Sequence, residues 1–157
     1  MITNINGNIL DSKANFIVHK VNSFSLDSNI ASQIVERYGH IEKEYLKYLR
    51  YCNKNYYDII GSAQFVPVEP WALIMIDTMK NNNVINYDAN YQYIVNMFCE
   101  SASDEGIKTN QKALKKAFES ILEKAKDIGA TVAIPENVGK FVREIIDKYD
   151  VEVEVWR

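Results

Sequence analysis

Histidine and cysteine are nearly missing from this chain, and each shortage removes a class of chemistry. His19 and His40 are the only two histidines in 157 residues, which argues against a metal cage or a catalytic triad built on histidine. Cys52 and Cys99 are the only cysteines and lie outside any CxxC spacing. Neither a zinc site nor a disulfide framework is expected, and both read as reduced, partly buried thiols. No stretch approaches the roughly 20 apolar residues that cross a bilayer, and the opening MITNINGNIL lacks the basic-then-apolar plan of a leader. A cytoplasmic protein with no membrane partner is the expectation. Positive charge is not in excess, since 18 Lys and Arg stand against 21 Asp and Glu for a formal net charge of −3. Bulk binding of nucleic acid, which needs a basic face, is therefore not expected. The Walker loop, the paired-His metal motif, the nucleophile elbow and the dinucleotide GxGxxG are also absent, so no metal and no cofactor is implied.

What remains is an ordinary globular composition, 47% apolar and 25% charged. It suits one domain over 1–157 that buries roughly 70% of its unfolded surface. Met1 to Asn6 reads as a first short strand with Asn6-Gly7 marking the turn after it, and Phe16-Ile17-Val18 as a second. His19, Asn22 and Ser23 are expected where that second strand runs out. Behind them Ile30, Ala31, Ile34, Val35 and Tyr38 keep a helical stripe with Asp27 or Ser28 as its N-cap. The free N–H groups of that helix would then point back into the polar loop, a place that attracts anions. A solvated strand-to-helix connection without a ligand is the competing reading.

A second helix follows Gly39, and Gly61-Ser62 open a strand over 63–68 in which Pro67 marks an edge or an end. The segment WALIMIDTMK after Pro70 fits a buried strand or a helix, residues 81–90 read as a loop, and 91–98 as a strand. Residues 100–106 read as a second polar loop. A long helix capped by Thr109 or Asn110 runs to Gly129, followed by a short strand over 130–134. Pro135-Glu136-Asn137 leads into a last helix whose periodicity begins at Val138, and VEVEVW alternates as a strand with one wet face. Strands alternating with helices give an α/β sandwich.

Taken together, GNILD at 7–11, IVHKVNS at 17–23 and NIASQIVERYG at 29–39 resemble the opening of a macro domain, the ADP-ribose-binding fold. GSAQFVPV, YIVNMF, KTNQKALKKAF, TVAIP and VEVEV continue that resemblance in order along nearly the whole chain, with 70–90 as an insert. The closest flavour is the branch associated with ADP-ribose-1″-phosphate processing. The resemblance implies a three-layer α/β/α sandwich over a mixed sheet, with a cleft at the strand carboxyl ends. It places Asn8 where an Asp normally takes the adenine amino group, with Ile9 beside it. Asn22 matches the Asn that meets the distal ribose, and His19 matches a suspected general acid or base.

Two departures from the family pattern stand out. The usually Gly-rich first loop is Asp27-Ser28-Asn29, whose acidic side chain would repel phosphate, and the second is cut down to 136–140. No Lys ends the 91–98 strand, where Met97 and Phe98 stand. The first expectation is a binding module, possible as a sponge, for an ADP-ribose-like small molecule. Its adenosine half would lie between Asn8-Ile9 and the 98–104 loop from Phe98 onward. Its diphosphate would rest on amides near Asn29-Ile30 and near Pro135, Asn137, Val138 and Gly139. The second is a phosphatase or hydrolase in which His19 and Asn22 position water. The third is a ligand-free fold that works through the aromatic insert from Trp71 to Tyr93.

Overall fold

The structure, a computed structural model, describes residues 1–26, 28–51, 59–73 and 89–157. Asp27, Cys52, most of the 70–90 insert and the 81–88 part of the expected loop lie outside the described residues. In chain order the elements are β1 (Ile2–Ile5), a 3₁₀ turn (Ile9–Asp11), β2 (Phe16–Val21), α1 (Asn29–Arg37), α2 (His40–Tyr51), β3 (Ala63–Pro67) and β4 (Tyr93–Phe98). After them come β5 (Glu100–Ser103), β6 (Gly106–Thr109), α3 (Gln111–Ile128), β7 (Val132–Pro135), α4 (Glu136–Ile146) and β8 (Val153–Trp156).

Six strands make the central sheet in the order β1-β8-β7-β2-β4-β3. All neighbours pair parallel except β3, which runs antiparallel to β4 and forms one edge. Pro67, with no N–H to give, ends that edge strand as expected. The whole of β4, Tyr-Ile-Val-Asn-Met-Phe, is buried, the pattern of a parallel strand covered on both faces. On one face Phe16, Val18, Val95, Ile134 and Val155 pack against Leu114 and Phe118 of α3 and Val142 of α4. On the other, Ile17, Ile94 and Ala133 pack against Ile34 of α1 and Ile41 of α2. The result is the three-layer α/β/α sandwich over a mixed sheet. Among the described residues no helix is long and apolar enough to cross a membrane.

Local chemistry explains the helix ends. Ser28 caps α1, its Oγ accepting from the Ala31 N–H at 3.2 Å, and Asn110 caps α3 the same way through Ala113 at 3.0 Å. Gly129 closes α3 in the left-handed conformation. The segment after Pro70 begins as helix over the described residues 70–73, with the proline at the position where its missing N–H costs nothing.

Three expectations need correction. The second strand does not stop at Val18 but runs to Val21, because the polar Lys20 finds Thr109 Oγ1 at 2.8 Å and so does not end it. Residues 100–106 are not a loop: β5 and β6 form a two-stranded hairpin that turns at Asp104-Glu105. The last helix starts at Glu136, directly behind Pro135, so nothing of 136–140 remains as a loop.

Candidate functional site

The direction of the strands fixes where a site can form. β2 and β7 are neighbours, yet β2 leads to α1 on one face and β7 leads to α4 on the other. Between them is a topological switch point, and a crevice opens outside the carboxyl ends of strands at such a point. A cleft of about 560 Å³ lies there. Its wall comes from Gly7, Asn8 and Ile9 after β1, from Pro135, Glu136 and Asn137 at the β7–α4 junction, from Trp156 and Arg157 at the end of β8, and from Asn29, Ile30 and Gln33 of α1.

Each wall segment is held in place by the fold. The Asn8 side chain caps the 3₁₀ turn, its Oδ1 accepting from the Leu10 N–H at 3.0 Å, while its Nδ2 donates to Gln33 Oε1 at 2.9 Å. Gly7 has φ +145, and a Cβ there would lie 3.4 Å from the Trp156 ring. Only glycine lets the chain pass the indole so closely in that conformation. Trp156 is fixed in turn, its Nε1–H donating to Glu154 Oε1 at 3.0 Å. The head of α4 differs from that of α1, since its cap residue is Pro135 and no side chain bonds its first amides. Glu136 stands at that head with Oε2 buried and without a hydrogen bond. It does have an ion pair, Arg157 Nε at 3.5 Å. The two observations agree if the contact is a charge pair too long and misaligned for a hydrogen bond.

The structure brings some of the expected site residues together and separates others. Asn8, Ile9, Asn29, Ile30, Pro135 and Asn137 share the cleft. Asn22 and Ser28 line a separate, very small hollow with Lys20, Ser25 and Glu100. The Asn22 carbonyl end is committed to its own turn, accepting from Phe24 N–H at 2.8 Å and Ser25 N–H at 3.2 Å. Phe98 is fully buried and stacks with Tyr45 and Tyr48, and neither it nor the β5–β6 hairpin reaches the cleft that Asn8 lines. Val138 and Gly139 lie within α4, on its buried face. A Cβ on Gly139 would come within 3.1 Å of Val155, so this glycine serves helix-to-sheet packing.

His19 sits inside β2, 2% exposed, rather than at a strand end. Its Nε2 meets Asn96 Oδ1 at 2.6 Å, Asn96 Nδ2 donates to Gln64 Oε1 at 3.0 Å, and Gln64 Nε2 donates to the Glu44 carbonyl of α2 at 2.9 Å. The Nδ1 atom is buried with no partner. Burial pulls the imidazole down to about 4, against a smaller upward pull from Asn96, so the ring is neutral at pH 7. His40 is half-buried at the start of α2, its Nε2 bonded to the Pro67 carbonyl at 2.8 Å. Cys99 is a buried thiol pushed up to about 12 by burial, with Glu100 adding to the rise, and is inert as a nucleophile. Among the described residues no group of three or more His, Cys, Asp or Glu is placed to hold a metal ion.

No family model and no curated protein sequence matches this chain. Solved structures do. A macrodomain protein from Streptomyces coelicolor superposes with a TM-score of 0.74 at 18% identity, covering 100% of this chain and 99% of that one. This chain has the macrodomain fold. The macrodomain of Thermus aquaticus DarG agrees, with a TM-score of 0.71 at 15% identity over 100% of this chain and 98% of that one. So does Thermosipho africanus DarTG, solved in complex with ADP-ribose, with a TM-score of 0.71 at 12% identity over 99% of this chain and 41% of that one.

Five wall residues were not among the expected site residues: Gly7, Gln33, Glu136, Trp156 and Arg157. One carried a signal. In VEVEVW the alternation puts Trp156 on the glutamate face of the strand, and a large aromatic on a wet face marks a contact surface. Gln33 lies one helical turn beyond Asn29, on the same stripe of α1.

Proposed function

We propose that this macrodomain binds ADP-ribose or a related NAD-derived nucleotide in the cleft at the β2/β7 switch point. One observation carries the reading: a single cleft gathers an indole ring, four carboxamide side chains and the heads of two helices. Its volume of about 560 Å³ falls in the usual range for a bound small molecule. The Trp156 ring gives a base a flat apolar surface. Asn8, Gln33 and Asn29, joined in an exposed chain of hydrogen bonds that a ligand can replace, and Asn137 supply donors and acceptors for a purine edge and ribose hydroxyls. The uncapped amides at the head of α4 offer donors to a phosphate. The ADP-ribose held by the Thermosipho relative favours the same ligand class.

Retention, rather than turnover, is our reading of the chemistry. The cleft wall holds amides, a ring and one closed ion pair, while His19, the acid or base of the hydrolase alternative, is sealed between the sheet and α2. A protein of this kind would sequester its nucleotide.

Isothermal titration with ADP-ribose tests the binding. Heat that saturates, together with quenching of Trp156 fluorescence, is expected. An absence of heat at millimolar ligand overturns the reading. Nucleotide recovered unchanged after denaturing the loaded protein separates retention from turnover, and recovery of a cleaved or dephosphorylated product overturns it.

A further inference from the structure

Among the described residues Trp156 carries the one aromatic ring on the cleft wall, and its two ends meet different surroundings. The six-membered ring lies beside Gly7, with Cζ3 at 3.4 Å and Cε3 at 3.9 Å from where a Cβ on that glycine would stand, and Gly7 itself lines the cleft. The pyrrole edge points the other way, and its Nε1–H donates to Glu154 Oε1 at 3.0 Å. The same oxygen accepts from the hydroxyl of Ser12, a buried residue whose Oγ in turn accepts from the Ala14 N–H at 3.0 Å. The carboxylate is thus held by two donors. No Lys, Arg or His among the described residues comes within ion-pair distance of it, and Arg157, the cation of the cleft wall, faces Glu136 instead. An indole whose N–H rests on an unneutralised carboxylate is polarised toward a more electron-rich face. Such a face draws cations, and tryptophan does so best of the aromatic residues.

We propose that this cleft prefers a nucleotide whose ring bears a positive charge, a pyridinium such as the nicotinamide of an oxidised dinucleotide, and that Glu154 sets the preference. A pyridinium laid on Trp156 gains from the ring and from the charge behind it, whereas a neutral ring of the same shape gains the stacking alone. Glu154 does not line the cleft. It acts through Trp156, as a positioning residue that is also a fixed charge. A purine alkylated on its ring presents the same chemistry, and the test below separates the two sources. This inference rests on the nucleotide reading given above for where the ring lies, and on the Trp156–Glu154 contact for its charge.

Calorimetry of three pairs that differ in ring charge is the test: NAD against NADH, 1-methylnicotinamide against nicotinamide, and 7-methylguanosine against guanosine. The pyridinium of each of the first two pairs should bind the wild type about fivefold more tightly than its neutral counterpart, and high salt should narrow the gap. Glu154→Gln keeps an acceptor for the indole and for Ser12 but removes the charge, so it should bring these ratios to within about twofold of one. A thermal melt reports folding. If Glu154→Gln does not fold, Trp156→Phe, which keeps a ring and removes the N–H, should shrink the ratios in its place. Ratios near one in the wild type, binding of neither pyridinium, or ratios that survive Glu154→Gln overturn the proposal. A preference confined to the guanosine pair overturns the pyridinium and makes an alkylated purine the cation. ADP-ribose that gives no heat refutes the nucleotide reading, while 1-methylnicotinamide, which has neither ribose nor phosphate, still decides the ring charge.

Discussion

Two polar clusters sit on this sheet and meet opposite fates. At the carboxyl edge, Asn8, Gln33, Asn137, Glu136 and Arg157 line an open cleft. Inside the sandwich, His19, Asn96 and Gln64 form a closed line from β2 through β4 and β3 to the backbone of α2. Both consist of carboxamides with an ionisable partner. The inner cluster spends all its side-chain groups but His19 Nδ1 within the protein, because an unpaired polar atom costs most where water is excluded. In the outer cluster Asn8, Gln33 and Asn29 are also joined, but these bonds are exposed and can be exchanged for water or a ligand at little cost. Similar residues are structural in one place and recognising in the other, and burial draws the line.

The largest way to break this comparison is acid. The His19 ring is neutral in the fold because burial lowers it from 6.5 to about 4. On acidification the unfolded chain takes up its proton first. The stability His19 permits is therefore complete above about pH 6.5 and is lost progressively as pH falls toward 4. The full loss amounts to about 3 kcal/mol. Urea unfolding at a series of pH values should show this slope in the wild type and lose it in His19→Gln, whereas Glu136→Gln should leave it in place.

Next in size is Asn96→Ala, which strips a partner from both His19 and Gln64 and should cost about 2 kcal/mol without changing the cleft. Chemical denaturation checks the cost, and nucleotide titration of the folded fraction checks the cleft. On the open side, Trp156→Ala should weaken nucleotide binding about tenfold, near 1.4 kcal/mol, read by calorimetry beside a melt. The smallest effect is expected from Asn8→Asp. It trades the Gln33 bond for a charged acceptor, which should favour adenosine over inosine by about threefold more than the wild type does. A competition titration reads that ratio.

Most of the fold was legible along the chain because its signals are local. The stripe of α3 with its Asn110 cap and Gly129 stop, the stripe of α4 and the alternation of β8 all lie within short windows. About half the cleft was expected in advance, Asn29 and Ile30 from the helix head behind β2, and Asn8, Ile9, Pro135 and Asn137 from the resemblance to the macro domain. What failed depended on distant partners. The second strand reads as ending at Val18 until Thr109 and Glu100 come beside Lys20. His19 reads as the end of its strand until Asn96, 77 positions away, takes its ring nitrogen. Arg157 and Trp156 reach the cleft only because β8 lies between β1 and β7.

That last arrangement bears on how the protein is made. β1 has β8 as its one neighbour in the sheet, with Ile2 beside Val153 and Ile5 beside Trp156. During synthesis the first strand emerges long before the strand that will hold it, and the Gly7–Ile9 turn waits with it. The β2–β7 pairing, with Phe16 beside Val132, also joins distant segments, but the β1–β8 pairing closes the longest loop in the described sheet, and long-range closures are slow. The wall of the cleft from Gly7 to Ile9 therefore meets the wall from Trp156 and Arg157 only once the β1–β8 pairing has closed.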